Sequence, residues 1–265
     1  MNKLLCTALL TALAAVMIYS AVNIVLTEKD YMKSEKIYEK SRAENFHVSE
    51  EEQEAISSDE SEVHFPDVFV DFNALKETNP DIVGWLWIPG TELSYPLLRA
   101  ENNSKYLNLS YDLQSTNSGG IFMDCRNSPD FTDGNTVIYG HNMKSGGMFG
   151  TLKDFSDIDY LRENTDLYIF TETEVFKYRI FAAYKTEADS LSYTRSFSDK
   201  FCFEDLIGYI KSSAGENICR APGEASVLVT LSTCTSARRT ERFVVHACLV
   251  ASKITDGTSL NNKTE

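Results

Sequence analysis

Apolar and polar positions alternate in short bursts along most of this chain, with one long exception at the amino end. From Leu4 to Thr27 the run LLCTALLTALAAVMIYSAVNIVLT holds 24 residues without an ionisable charge. About 20 apolar residues at 1.5 Å rise cross a ~30 Å hydrocarbon layer, so the run predicts a membrane-spanning helix. A cleaved signal peptide competes with this reading, and the Ala-rich section at Ala12–Ala15 resembles its cleavage site. Such peptides have apolar stretches of only ~7–15 residues. Here the run continues through Ile24, Val25 and Leu26, which favours a retained anchor over a cleaved signal or a buried helix. Cys6 lies too near the start to follow a lipoprotein-type apolar region. Lys3 precedes the run, and Glu28 and Asp30 follow it among Lys29 and Lys33, so the short end is expected inside and the bulk of the chain outside.

After Phe65-Pro66 the pattern changes to strand-like bursts. Asp71 predicts the cap of a short helix, DFNALKET, ended by Asn79-Pro80. Strands are then expected at Ile82–Ile88, Leu93–Leu98, Gly120–Asp124, Thr136–Gly140, Asp166–Phe170, Val175–Tyr184, Ala225–Leu231 and Arg242–Ala251. Aromatic and β-branched residues fill them, and Pro89-Gly90, Asp133-Gly134 and Gly146-Gly147 punctuate them. Eight short strands without regular intervening helices argue for a mostly antiparallel sandwich or barrel. One helix interrupts them at Ser198–Ser213, where Phe203, Leu206, Ile207 and Ile210 form a single apolar stripe. No internal repeat is present, and the tail from Thr255 is expected to be disordered.

Charge sharpens this division. The formal net charge is −14, which disfavours a nucleic-acid partner because such a protein needs a basic face for phosphates. Residues 28–64 hold twelve acidic and five basic residues, so about half the negative charge sits beside the apolar run. The expected organisation is an anchor with its cytoplasmic end at 1–27, an acidic stalk at 28–68, a folded domain at 69–254 and a tail at 255–265. Residues Tyr31 to Tyr38 are compatible with a charged helix inside that stalk.

The six cysteines lack the C-x-x-C spacing of a zinc or redox site, and H-E-x-x-H, P-loop and G-x-S-x-G motifs are absent. With Cys6 in the anchor, five remain, so at least one thiol is free within the monomer. Cys234 stands out because it ends the apolar run SVLVTLSTC, and Arg242 opens the next strand after TSARRTE. In a hairpin these two residues face each other across the pair. Alternation places Arg242, His246 and Cys248 on one face, and Cys248 is about 20 Å along the strand from Arg242. A guanidinium beside a thiol favours thiolate and offers donors to an oxyanion. Histidine is the usual proton donor for a leaving amine. His47 and His64 lie in the acidic segment and read as solvated, and His246 inside a strand reads as structural. His141, at a strand end opening the loop NMKSGGMFG, is left as either catalytic or structural. Arg238 and Arg239 read as surface charges.

At this point the residues carry a resemblance. Thr230-Leu231-Ser232-Thr233-Cys234 followed by Arg242-Phe243-Val244-Val245, together with Tyr139-Gly140-His141-Asn142-Met143, resembles the signature of the sortase family. NPDIVGWLWIPGTELSYPLL, GGIFMDCRN and YGHNMKSGGMFGTL are similar to class B sortases, over roughly Phe72 to Ser252. The helix before the cysteine strand fits that class. The resemblance implies an eight-stranded β-barrel with a few peripheral helices, and a membrane-anchored cysteine transpeptidase of Gram-positive bacteria. It implies Cys234 as nucleophile on the Thr carbonyl of a C-terminal sorting signal of secreted proteins, His141 as proton donor and Arg242 as substrate and oxyanion clamp. The acyl-enzyme would pass to an amine of a peptidoglycan precursor or cross-bridge. Asn103, Leu107 and Ser232 are implied as substrate-groove residues. No acidic cluster matches the calcium site of class A, so no metal or other cofactor is expected. Position 235 is Thr where some class B members carry an acid, which leaves a role for that side chain open. The competing readings are a pilin-polymerising sortase, a membrane-anchored binding module without chemistry, and a Cys-His hydrolase using water alone.

Overall fold

The computed structural model describes residues 3–49, 63–197, 200–222, 226–235 and 240–255. The expectations for the acidic cluster at 50–62, for Arg238 and Arg239, and for the tail beyond Thr255 fall outside these residues.

The apolar run forms the first half of one helix, α1 (Lys3–Asn45). An 18-residue stretch of α1 has mean hydropathy 2.2 and is wholly unburied, so the helix is long and apolar enough to cross a membrane. Its second half behaves differently. Ser34, Ile37, Tyr38, Ser41 and Asn45 recur at helical spacing and are all buried. Tyr38 donates its hydroxyl to the Gly119 carbonyl at 2.6 Å and meets the Tyr95 ring edge-on at 5.3 Å. The chain continues as β1 (Phe46–Val48), paired with β2 (Val68–Val70), and Phe46 stacks on Trp85 at 5.2 Å. The segment expected to be a solvated stalk is therefore a packed flank of the domain from about Asp30 to Val48. Three of the five buried helix positions are Ser or Asn, so Ile37 and Tyr38 alone do not make a repeating apolar stripe.

Asp71 caps α2 (Phe72–Thr78) by accepting from the Ala74 amide at 2.9 Å, as its position predicts. All eight expected strands form: β3 (Ile82–Trp87), β4 (Ser94–Leu98), β5 (Ile121–Met123), β6 (Asn135–Tyr139), β7 (Asp166–Phe170), β8 (Glu174–Glu187), β9 (Leu228–Cys234) and β10 (Glu241–Ile254). They close a barrel in the order β10-β8-β7-β3-β4-β5-β6-β9. The pairs β4/β5 and β6/β9 are parallel and the others antiparallel. Closure leaves the sheet without an open edge. A short helix that the sequence pattern does not signal, α3 (Ile158–Glu163), precedes β7.

The barrel has two apolar layers. Phe243, Val245 and Ala247 of β10 belong to the interior with Trp85, Leu97, Ile138 and Leu231. Val244, one position out of phase, packs instead under α4 (Lys200–Ala214) with Phe203, Leu206, Ile207 and Ile210. These are the four residues of the predicted stripe, and they cover the outer face of β8 and β10. His246 lies in this outer layer, fully buried, with Thr230 Oγ1 at 3.0 Å from Nδ1 and Tyr184 Oη at 3.0 Å from Nε2. Burial pushes its imidazole down to about 3, so it is neutral and structural.

Candidate active site

Strand direction brings the site together. β6 and β9 run parallel, so their carboxyl ends emerge at the same rim of the barrel, with Tyr139 opposite Ser232. Beyond those ends lie His141 and Cys234. β10 runs antiparallel to β9 and starts at the same rim, where Arg242 pairs directly with Cys234. Directly opposed residues project to one face with Cβ atoms about 4.5–5.5 Å apart. The expected hairpin and register are therefore observed, and 92 residues of separation between Asn142 and Cys234 close into one hydrogen bond, Asn142 Nδ2 to the Cys234 carbonyl at 2.9 Å.

Two further bonds knit the rim. Gly140 donates its amide to the Ser232 carbonyl at 3.2 Å, and Thr233 donates its hydroxyl to the Gly140 carbonyl at 2.7 Å. Gly140 itself has no room for a side chain, because a Cβ there would lie 2.5 Å from Ile121 and 2.8 Å from Phe149. His141 is half-buried, and its Nε2 lies 2.7 Å from the Leu107 carbonyl. A carbonyl only accepts, so Nε2 carries a proton. The His141 carbonyl accepts from the Phe149 amide at 2.9 Å, closing the glycine-rich loop back on its origin.

Cys234 is the exposed thiol among the described cysteines, whereas Cys125, Cys202, Cys219 and Cys248 are partly covered. Burial pushes the Cys248 and Cys219 thiols up, which keeps them protonated. Thr235 donates its hydroxyl to the Glu241 carboxylate at 2.7 Å, and its amide reaches the Glu241 carbonyl at 3.2 Å. The residue whose role was open thus ties the base of the hairpin loop.

The three groove expectations separate. Leu107 presents an exposed side chain (39%) next to the His141 ring that its carbonyl holds. Asn103 accepts from the Cys125 amide at 2.7 Å through its side-chain oxygen, so it joins two loops. Ser232 is buried (1% exposed) and shares a 2.8 Å hydrogen bond with the Tyr193 hydroxyl, so it lies beneath the surface rather than lining an open groove. Alternation explains this, since Ser232 shares a face with Cys234 but sits deeper along β9.

Tyr193 escaped the sequence reading. Burial raises its phenol, and its hydroxyl bonds to Ser232, two residues before Cys234 on the same face of β9. Its ring stacks near that of Tyr139 at 6.5 Å. Tyr139 in turn donates to Asp124 at 3.0 Å. Asp124 is held from the other side by Arg126, through Nε at 2.8 Å and Nη2 at 2.6 Å. Burial alone would raise the Asp124 carboxyl, but these donors hold it well below the usual carboxylate range. Two hydrogen-bonded groups, Arg126–Asp124–Tyr139 and Tyr193–Ser232, joined by the Tyr139–Tyr193 ring stack, thus back the strand that delivers His141. Among the described residues no group of His, Cys, Asp and Glu is arranged to hold a metal ion.

Comparison with known proteins agrees with this geometry. The sortase domain family matches residues 86–250. Sortase B of Listeria monocytogenes is 36% identical over 179 residues, covering 66% of this chain and 72% of the relative. Sortase B from Bacillus anthracis, solved in complex with AAEK1, superposes with a TM-score of 0.69 at 29% identity, covering 84% of this chain and 98% of that one. A sortase B solved in complex with triglycine gives 0.63 at 28% identity, covering 68% and 85%. With an eight-stranded barrel whose thiol and guanidinium face each other at one rim, and a match across more than half its length, the chain belongs to the sortase family as a class B cysteine transpeptidase.

Proposed function

We propose that this protein is a membrane-anchored transpeptidase that cleaves a C-terminal sorting signal of secreted proteins after Thr and transfers the new carboxyl end to a peptidoglycan amine. The observation that carries the reading is the Cys234–Arg242 register pair, with His141 delivered to the same rim by the parallel strand β6. Cys234 thiolate attacks the Thr carbonyl carbon, forming a C–S bond and an oxyanion. Arg242 donates to that oxyanion, and a positioned donor of this kind is worth roughly 10²–10³ in rate. As the C–N bond breaks, imidazolium His141 gives its proton to the leaving amine, and a thioester remains. Because Nε2 keeps its proton for the Leu107 carbonyl, Nδ1 is the atom that exchanges. The acceptor amine then attacks the thioester, loses its proton to His141, and the C–S bond breaks to restore the thiolate. Leu107, exposed beside His141, contacts the signal peptide. The triglycine found on one solved sortase B supports a short, unhindered amine as acceptor here. The apolar half of α1 anchors the chain in the cell membrane, with the short amino end in the cytoplasm and the barrel outside.

The test is to incubate the protein with a panel of Thr-containing sorting peptides, with and without triglycine, and to identify products by mass. Cleavage after Thr with a new Thr–glycine bond supports the reading. Hydrolysis alone at high amine favours a water-using hydrolase, and a Cys234→Ala variant that still cleaves overturns the assignment.

A further inference from the structure

The glycine-rich loop that begins at His141 holds one residue in a conformation its side chain disfavours. Met148 is buried and sits at φ +53°, in the left-handed region that favours glycine. A residue with a side chain stays there only where its surroundings fix it. Besides the packing of its buried side chain, two backbone contacts hold Met148. Its amide donates to the Tyr95 hydroxyl at 3.0 Å, and it forms an antiparallel bridge with Asn142. The next residue, Phe149, donates its amide to the His141 carbonyl at 2.9 Å. The amides of 148 and 149 are thus adjacent tethers: Tyr95 holds the first, and the second holds His141.

Tyr95 reaches this loop from β4, 53 residues earlier in the chain. Its ring is gripped in turn by the docked half of α1. Tyr38 meets it edge-on at 5.3 Å, and the Arg42 guanidinium carbon lies 5.8 Å from its centroid. Tyr38 and Arg42 stand at i and i+4, one turn apart on the same face of the helix. Tyr31, Tyr38 and Arg42 face Met143, Gly146 and Met148 across a cleft of about 240 Å³. Tyr95 also lines this cleft and touches both sides of it.

The thiol is held by other means. Cys234 keeps its register with Arg242 through β9 and β10, and Thr233 is bonded to Gly140 before the loop begins. The Asn142 side chain meets Cys234 at its carbonyl, on the backbone and away from the sulfur. A slackened loop therefore displaces His141 and leaves the nucleophile in place.

We propose that Tyr95 is a positioning residue for His141: its hydroxyl holds the loop at Met148, and α1 holds Tyr95 through Tyr38 and Arg42. The proposal deepens the transpeptidase reading and rests on His141 as proton donor to the leaving amine. It makes the helix that leads out of the apolar run part of what aligns the acid. The chemistry supplies a clean discrimination. An amine must gain a proton as the C–N bond breaks, whereas a thiolate leaves a thioester without one. A misplaced His141 slows acylation by an amide and spares acylation by a thioester.

The experiment uses the detergent-solubilised full chain and two substrates: a sorting peptide that the parent cleaves, and its analogue with a thioester at the scissile bond. Release of the leaving group in the first turnover reads acylation alone. Tyr95→Phe keeps the ring and removes the hydroxyl. It should slow the amide by about tenfold or more and leave the thioester within about threefold of the parent. Arg42→Met keeps a long stem and removes the charge above the ring, and should slow the amide about threefold. In the Tyr95→Phe background the same change should cost less than about twofold, because two residues acting through one link are not additive. Equal loss on both substrates in Tyr95→Phe and in Arg42→Met overturns the proposal, since the hydroxyl would then serve the fold. An undiminished amide rate in Tyr95→Phe overturns it as well. A full Arg42→Met effect without the Tyr95 hydroxyl overturns the part given to α1. A parent that turns over neither substrate overturns the transpeptidase reading itself, and the role of Tyr95 with it.

Discussion

Thr233 donates its hydroxyl to the carbonyl of Gly140 at 2.7 Å, so the residue before Cys234 is bonded to the residue before His141. Thr233 is buried (3% exposed), and its hydroxyl joins the two strand ends alongside the Asn142 side chain, which donates to the Cys234 carbonyl. Thr233→Val keeps the shape and removes the donor, leaving a carbonyl short of its partner at a cost of about 1–3 kcal/mol. A drop in kcat of tenfold or more, with KM little changed, is the expected result in peptide-cleavage kinetics. Loss of thermal stability without loss of kcat would mean that the bond holds the barrel and not the site.

Arg242 faces Cys234 in register, and its planar fork offers donors that an ammonium does not. Arg242→Ala should lower kcat/KM by roughly 10²–10³. Arg242→Lys should recover only part of that loss. Full recovery by lysine would reduce the role of this residue to charge alone.

Exposure separates the cysteines. One equivalent of iodoacetamide should alkylate Cys234 before Cys125, Cys202, Cys219 or Cys248, and activity should fall in step with that single modification. Peptide mapping by mass spectrometry reads the order. Earlier labelling at another of these sites with activity intact would contradict it.

Asp124 is ionised with its carboxyl held below the usual range by Arg126 and Tyr139. A carboxylate whose folded pKa is depressed adds stability above its unfolded pKa of about 3.9, and loses it as pH falls through the folded value. Asp124→Asn should therefore destabilise the protein clearly at pH 7, and the gap to the parent should narrow below about pH 4. Urea unfolding at several pH values measures both. A gap that does not change with pH would rule out the ionised carboxylate as its source.

His246 acts in the same sense over a higher pH range, because its folded value of about 3 lies far below its unfolded value near 6.5. The unfolded chain binds the extra proton between these values, so stability is full above about pH 6.5 and falls below it, by up to about 1.4 kcal/mol per pH unit. His246→Gln should be less stable at neutral pH, yet should lose much of that acid slope. An unchanged slope in the variant would assign it to other groups.

The strands were legible in the sequence because they are buried on both faces and rich in aromatic and β-branched residues. The α4 stripe was legible because its four apolar residues repeat at helical spacing. The Cys234–Arg242 pair followed from hairpin alternation alone. The docked half of α1 was hidden, since Ser34, Ser41 and Asn45 fill a packed face with small polar side chains. Tyr193 was hidden for another reason. It lies in the connection between β8 and α4, and only the fold brings it to Ser232, 39 residues away. Ser232 is buried although Cys234, two residues on along the same face of β9, is exposed, and the alternation pattern does not distinguish the two. The parallel pairings of β4 with β5 and of β6 with β9 left no local trace.

The parallel alignment of β6 with β9 has a bearing on how such a protein can diversify. His141 and Cys234 depend on adjacent strand ends, while the 92 residues between them make a separate excursion through β7, β8 and α4 and return. Insertions or deletions in the outer turns of that excursion leave the spacing of the two side chains untouched, because register between the paired strands, and not length of chain, sets it. New specificity can accordingly be built by lengthening loops at the rim, with the reacting pair carried along unchanged.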